Sequence, residues 1–190
     1  MRRKDREMGF EFGLAVIDKS VYATIAVVDE LGEPYAIPIS TVRVGDKIYI
    51  HSAKAGRKVD LFTPNKPVTM VFVGEVKIPE LYSAQELEVL ATDESKGSLL
   101  ARRVFTTEYE STIINGSIAV VSDEAERREA LTALSLKYCK SKQELIPMAI
   151  RSGAPRTLIY RVDIKELTSK RKKYDDQGEE MKGSCVVAQL

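Results

Sequence analysis

Eight consecutive residues, His51-Ser52-Ala53-Lys54-Ala55-Gly56-Arg57-Lys58, gather the only histidine of the chain, a hydroxyl, a glycine and three cations. Such a set suits an anion with a polar ring beside it. Gly56 lets a backbone approach closely, and Arg57 and Lys58 stand where a helix begins, so free N–H groups and the helix dipole would add to their charge. Charge-assisted hydrogen bonds contribute roughly 1.5 to 3 kcal/mol each, enough for Arg57 and one helper such as Ser52 to hold a phosphate monoester. The same residues also describe a strand end running into a solvated, basic helix start. The spacing by itself leaves both readings open.

The surrounding elements must position these groups. Alternation in KIYIHS puts Ile48 and Ile50 on one face of a strand and Tyr49 and His51 on the other, which keeps His51 out of the core. A helix over residues 11–19 leads into a strand over 21–28, and DELGEP turns the chain into a further strand over 35–44. Pro38, in the middle of that strand, cannot donate to a ladder and marks an edge, a bulge or a place where something approaches the backbone. Gly45-Asp46 is a hairpin centre, so the first three strands read as a meander. RKVDLF is one or two helical turns with Val59 and Phe62 inward. The strand over 68–78 starts apolar on both faces, and its second face needs a cover.

Residues 79–103 read as a helical insertion opened by the capping-box spacing of Ser83 and Glu86. A strand over 111–121, a helix opened by Asp123 with Leu131, Leu134 and Tyr138 inward, and a strand over 158–167 complete the pattern. From Ser169 onward nine of fourteen residues are charged, which predicts a mobile tail over 169–190 in which the KRKK run is solvated. A single domain over 1–168 is therefore expected, with about six mostly antiparallel strands and marginal helices forming a small barrel.

Bulk composition narrows the function. The chain has 190 residues, enough for one sizeable core, and 29 Lys and Arg balance 28 Asp and Glu, so no net field favours nucleic acid. Cys139 and Cys185 lie far apart and fit reduced thiols in the cytoplasm, and no zinc-ligand spacing occurs. No apolar run has the length of a signal sequence or a membrane span, so a protein that neither is secreted nor crosses a membrane is expected. Cys139 and Met70 read as packing residues, and the carboxylates of SDEAERRE complement a helix dipole.

Taken in order, MRRKDREM, GLAVIDK, YATIAVVDELGEPYAIPIS, GDKIYIHSAKAGRKVDLF with NKPVTMVFV, and TTEYESTIINGSIAVV resemble the FMN-binding split-barrel proteins related to pyridoxamine-phosphate oxidase. Within that superfamily the likeness is nearest to the nitroimidazole-resistance branch. It spans about residues 1–165 without most of 79–103. The resemblance implies a mainly β, six-stranded antiparallel split β-barrel with flanking helices, and a homodimer with two FMN sites at the subunit interface. In the family, a hydroxyl residue at a strand end and a following Arg-Lys pair grip the FMN phosphate, which maps onto Ser52, Arg57 and Lys58. The preceding strand lays its backbone along the flavin ring, corresponding to Pro38, Ile39 and Ser40, and Ser111 falls where a polar contact to the flavin is made. A partner subunit would cover the second face of Val68 to Val73.

His51 stands where a histidine of the nitroimidazole-resistance branch lies beside the flavin, and is the catalytic candidate. The chain departs from the oxidases in having no Trp and no tryptophan- and arginine-containing final segment, which argues against pyridoxamine-phosphate oxidase activity itself. It also has Ala23 where relatives often have glycine. The expectation is an FMN-dependent oxidoreductase acting on a small molecule such as a nitroaromatic or a quinone. The alternatives are a flavin-binding or sensing protein without turnover and a split barrel that binds haem or a deazaflavin.

Overall fold

The computed structural model describes residues 2–183. In chain order its first half runs β1 (Glu7–Met8), α1 (Phe10–Lys19), β2 (Ala23–Val28), β3 (Pro34–Ile39), β4 (Thr41–Val44), β5 (Lys47–Ala53), α2 (Arg57–Leu61) and β6 (Lys66–Lys77). The second half runs α3 (Ala84–Ala91), α4 (Gly97–Arg103), β7 (Glu108–Val120), α5 (Glu124–Cys139), α6 (Ile146–Gly153) and β8 (Thr157–Lys172). All pairings are antiparallel, in the order β3-β2-β6-β7-β8-β5-β4, with β1 added on β8.

The two ends of that order, β3 and β4, are halves of one segment interrupted at Ser40. A single strand over 35–44 was the expectation; pairing is instead interrupted at Ser40, so Ile39 pairs with Ala23 of β2 while Thr41 pairs with Ile50 of β5. This crossing folds the sheet round into a barrel. It also breaks the expected meander and, with the short β1, raises the strand number from six to eight. The class, a mainly β antiparallel split barrel with flanking helices, is unchanged.

Alternation decides what fills the barrel. Ile25, Ile39, Ile48, Ile50, Phe72 and Ile114 point inward and are buried, each worth about 1.5 to 3 kcal/mol of transfer free energy. Helix α1 adds Val16 and Ile17 to this core. Its Gly13 is a close-approach residue: a Cβ there would fall 2.4 Å from a Leu167 methyl, and its carbonyl accepts a 3.1 Å bond from the buried Thr112 hydroxyl. A second, smaller core forms outside the barrel, where Ala130 and Leu134 of α5 cover Val42, Tyr49 and Ile159. Tyr49 is thus buried, donating to Glu126 at 2.8 Å, although it lies on the outward face of β5.

Asp123 caps α5 by accepting from the Glu126 N–H at 2.8 Å, and the Ser83–Glu86 capping box opens α3. Helix α6 has no counterpart in the sequence reading, since Pro147 and a single Ile146–Ile150 pair give too short a pattern. Cys139 is exposed, not packed, because the apolar stripe of α5 ends before it. Cys185 lies outside the described residues.

The tail expected from Ser169 is also corrected for the described part. β8 continues to Lys172, Ser169 is buried and donates to the Met8 carbonyl at 2.9 Å, and Tyr174 bridges to Glu180. Arg6 donates to Glu180 at 2.6 Å, and the buried Lys172 ammonium reaches the Thr106 hydroxyl. The KRKK run is absorbed into β8, where Arg171 lies over the Phe12 ring and Lys172 over the Tyr174 ring, their long stems covering apolar surface. Composition carries no trace of those distant partners.

Phe62, buried at the end of α2, meets Tyr160 edge to face with ring centroids 5.3 Å apart. Truncation by Phe62→Ala is expected to cost about 3 to 5 kcal/mol in a denaturant titration. A loss under about 1 kcal/mol would show that this ring is not part of the core.

Candidate functional site

The strand break at Ser40 lies beside His51. Continuing the β4–β5 register (Thr41↔Ile50) by one step sets Ser40 beside His51. From there β5 ends at Ala53, and Gly56, at φ 110° and ψ 161°, turns the chain into α2. An L side chain rarely adopts that backbone geometry, so Gly56 directs Arg57 and Lys58 as well as leaving room.

The Arg57 guanidinium reaches back to the β2–β3 hairpin, 4.8 Å over the Tyr35 ring and 3.8 Å from the Asp29 carboxylate. Its side chain is 60% exposed, so the Asp29 pair is weakly held and the guanidinium can be recruited by a stronger anion. Asp29 itself is fixed by accepting the Leu31 and Glu33 N–H groups at 2.9 Å. The structure therefore sets Ser40 and Lys58 beside His51, whereas Arg57 lies at the other end of β3 and Ile39 and Ser52 are buried. Pro38 sits on an edge strand, where its missing N–H costs no ladder bond.

Two site residues differ in detail from their expected setting. Ser52 is buried, with its hydroxyl donating to the Ala53 carbonyl at 2.5 Å, and would have to release that carbonyl to donate to a phosphate. Helix α2 has only five residues, so its dipole adds little and the anion attraction rests on the Arg57 and Lys58 charges.

Ser111 is not in contact with the cluster. It shares an outward-facing row with it: continuing the β2–β3 and β2–β6 registers by one step aligns Ser40, Tyr22 and Val73, and Val73 pairs with Ser111. Three strand spacings separate Ser40 from Ser111, about 14 Å. The next row is Pro38, Thr24, Val71, Ile113 and Thr168. This face carries the exposed apolar side chains Val73 and Ile113.

Sequence reading missed Tyr22, Tyr35 and Asp29. Tyr22 is 59% exposed in the row beside Ser40, and only the strand register reveals it. A cavity of about 710 Å³ between α5 and α6, lined by Leu131, Ile146 and Ile150 among others, contains none of the candidate residues. No cluster of metal-ligating side chains occurs among the described residues. No helix among them is long and apolar enough to cross a membrane.

His51 is exposed, yet the protein on its inner side desolvates it and the Lys58 charge opposes its protonation, so its pKa lies below the ordinary 6.5. The imidazole is mainly neutral at pH 7.

The comparisons agree with the resemblance read from the sequence. Residues 13–84, which hold every candidate except Ser111, match the family model for pyridoxamine 5'-phosphate oxidase. No curated protein matches the chain. The FAD and heme binding protein from Mycobacterium smegmatis has a similar structure, with a TM-score of 0.67 and 20% identity over 88% of this chain and 73% of that one. The flavocytochrome Anf3 from Azotobacter vinelandii gives 0.63 and 17% over 95% and 79%. A candidate 5-nitroimidazole antibiotic resistance protein from Bacteroides thetaiotaomicron gives 0.60 and 18% over 85% and 83%. At these identities the likeness establishes the split-barrel fold.

Because His51 is the only histidine, its ring protons titrate alone in a proton NMR spectrum. The midpoint is expected below 6.5 in the ligand-free protein; a midpoint at or above 6.5 would contradict the packing described. The sign follows for stability: with the folded pKa depressed, the unfolded chain takes up the proton first, so His51 contributes a loss of stability as pH falls from 6.5 towards the folded value.

Proposed function

We propose that the protein is a cytoplasmic, homodimeric FMN-dependent oxidoreductase acting on a small molecule, with nitroaromatics and quinones as the substrate class. The observation that carries this reading is the placing of Ser40 and Lys58 beside His51, with the exposed Arg57 guanidinium free to swing from the β2–β3 hairpin, inside the segment that matches the family model. The donor set fits a phosphomonoester: two cations that can turn towards it, one with an exposed guanidinium, and a glycine that leaves the approach open.

FMN, when bound, supplies the redox chemistry. The protein holds its phosphate with Arg57 and Lys58 and lines its ring with the backbone of Pro38, Ile39 and Ser40. His51, neutral at pH 7, presents an N–H that orients a nitro, quinone or carboxylate oxygen of the substrate; its low pKa suits it to that role better than to storing a proton. A second subunit on the outward face would cover Val71, Val73 and Ile113 and bring its own Ser111 towards the ring. Those side chains form a continuous apolar strip of the kind that marks an interface.

A second reading is haem binding. An exposed histidine held neutral is what an iron ligand requires, and two of the structures with the same fold belong to proteins described as binding haem or as a flavocytochrome. The absorption spectrum of the reconstituted protein separates the two.

The double variant Arg57→Ala with Lys58→Ala is expected to weaken FMN binding at least about 100-fold, the combined loss of two charge-assisted contacts, with the oligomeric state unchanged. Unchanged affinity would remove both residues from the site.

A further inference from the structure

Tyr138, in the last turn of α5, extends its hydroxyl to two separate places in the sheet. The hydroxyl oxygen accepts the Thr41 N–H at 2.9 Å and lies 2.7 Å from the Val21 carbonyl and 3.0 Å from the Thr41 carbonyl. A phenol has one proton to give, so it donates to the nearer Val21 carbonyl, with Thr41 as the alternative acceptor. Thr41 is completely buried, and its own hydroxyl has no hydrogen-bond partner among the described residues. The Thr41 N–H therefore depends on Tyr138, since no water can replace it without opening the packing.

The two anchored residues each precede or follow a member of the outward-facing row. Val21 adjoins Tyr22, and Thr41 adjoins Ser40. One hydroxyl thus ties the start of β2 to the β3–β4 junction just beyond the last ladder pair, Ala23↔Ile39, where the barrel order closes. The arrangement ties helix α5, which also packs on the outer core and reaches the Ala154 and Thr157 carbonyls through Arg127, to the strand break at Ser40.

We propose that Tyr138 is a positioning residue: it touches no ligand, and its hydroxyl holds Tyr22 and Ser40 at the separation needed to receive the flavin ring. This inference rests on the functional reading above. Removing only the hydroxyl leaves an orphaned, buried N–H at Thr41, which relaxes by moving the β3–β4 junction or by admitting water.

The test is Tyr138→Phe in the full chain, read by two independent measurements. Amide hydrogen exchange reads the anchor without any ligand: exchange at Thr41 is expected to quicken about tenfold or more while the inner core strands keep their protection. Unchanged exchange at Thr41 would overturn the anchor. FMN titration reads the consequence: affinity is expected to fall about three- to tenfold, and the visible flavin band of the bound state to shift relative to the unsubstituted protein. A merely structural role would lower thermal stability and leave the bound-flavin spectrum in place, and that result would overturn the positioning role. If the unsubstituted protein binds no FMN, the functional reading fails and the proposed link to the flavin with it, whereas accelerated exchange at Thr41 would still establish the anchor.

Discussion

The change of pairing partner at Ser40 is the constraint on which the rest of the structure depends. A strand that ran straight from Pro34 to Val44 would pair along its whole length with one neighbour and leave an open sheet. By interrupting it, the chain pairs Pro34–Ile39 with β2 and Thr41–Val44 with β5, so the first and last members of the sheet order are joined covalently. The inward isoleucines are thereby enclosed on all sides, and α1 and α5 cover what the sheet leaves exposed. The same break ends the β4–β5 ladder at Thr41 and Ile50, which leaves His51 at a strand edge. Closure of the core and formation of the site are consequences of one backbone feature.

Electrostatics at that edge is local and not global. The chain is nearly neutral overall, yet Arg57 and Lys58 are carried to one place by Gly56, and the nearest carboxylate, Asp29, is engaged with its own hairpin. Burial, and after it the Lys58 charge, keeps the neighbouring imidazole neutral, so the site offers two cations free to turn and one polar uncharged ring. That division of labour separates anion anchoring from contact with the reacting molecule.

Much of the architecture was legible because it depends on short-range periodicity. The alternation of KIYIHS put His51 outside the core, the Asp123 and Ser83 caps marked their helices, and the HSAKAGRK spacing marked the cationic segment. The Ser40 interruption was not legible: YAIPISTVRV alternates smoothly, and only pairing with two different partners divides it. The segment after Ser169 was misread for a related reason, since Lys172 finds Thr106, the Tyr174 N–H finds Glu108 and Glu180 finds Arg6 only in three dimensions. Tyr22, Asp29 and the Tyr138 anchor likewise depend on contacts between residues that composition gives no reason to connect.

The central claim is that the Arg57–Lys58 segment recognises a phosphate on a flavin. Parallel titrations of the purified protein with FMN and with riboflavin, which lacks only the phosphate, test it most directly by the change in flavin fluorescence. The account predicts FMN binding tighter by at least about 100-fold, the worth of two charge-assisted contacts. Equal affinity for the two, or binding of neither, would contradict it.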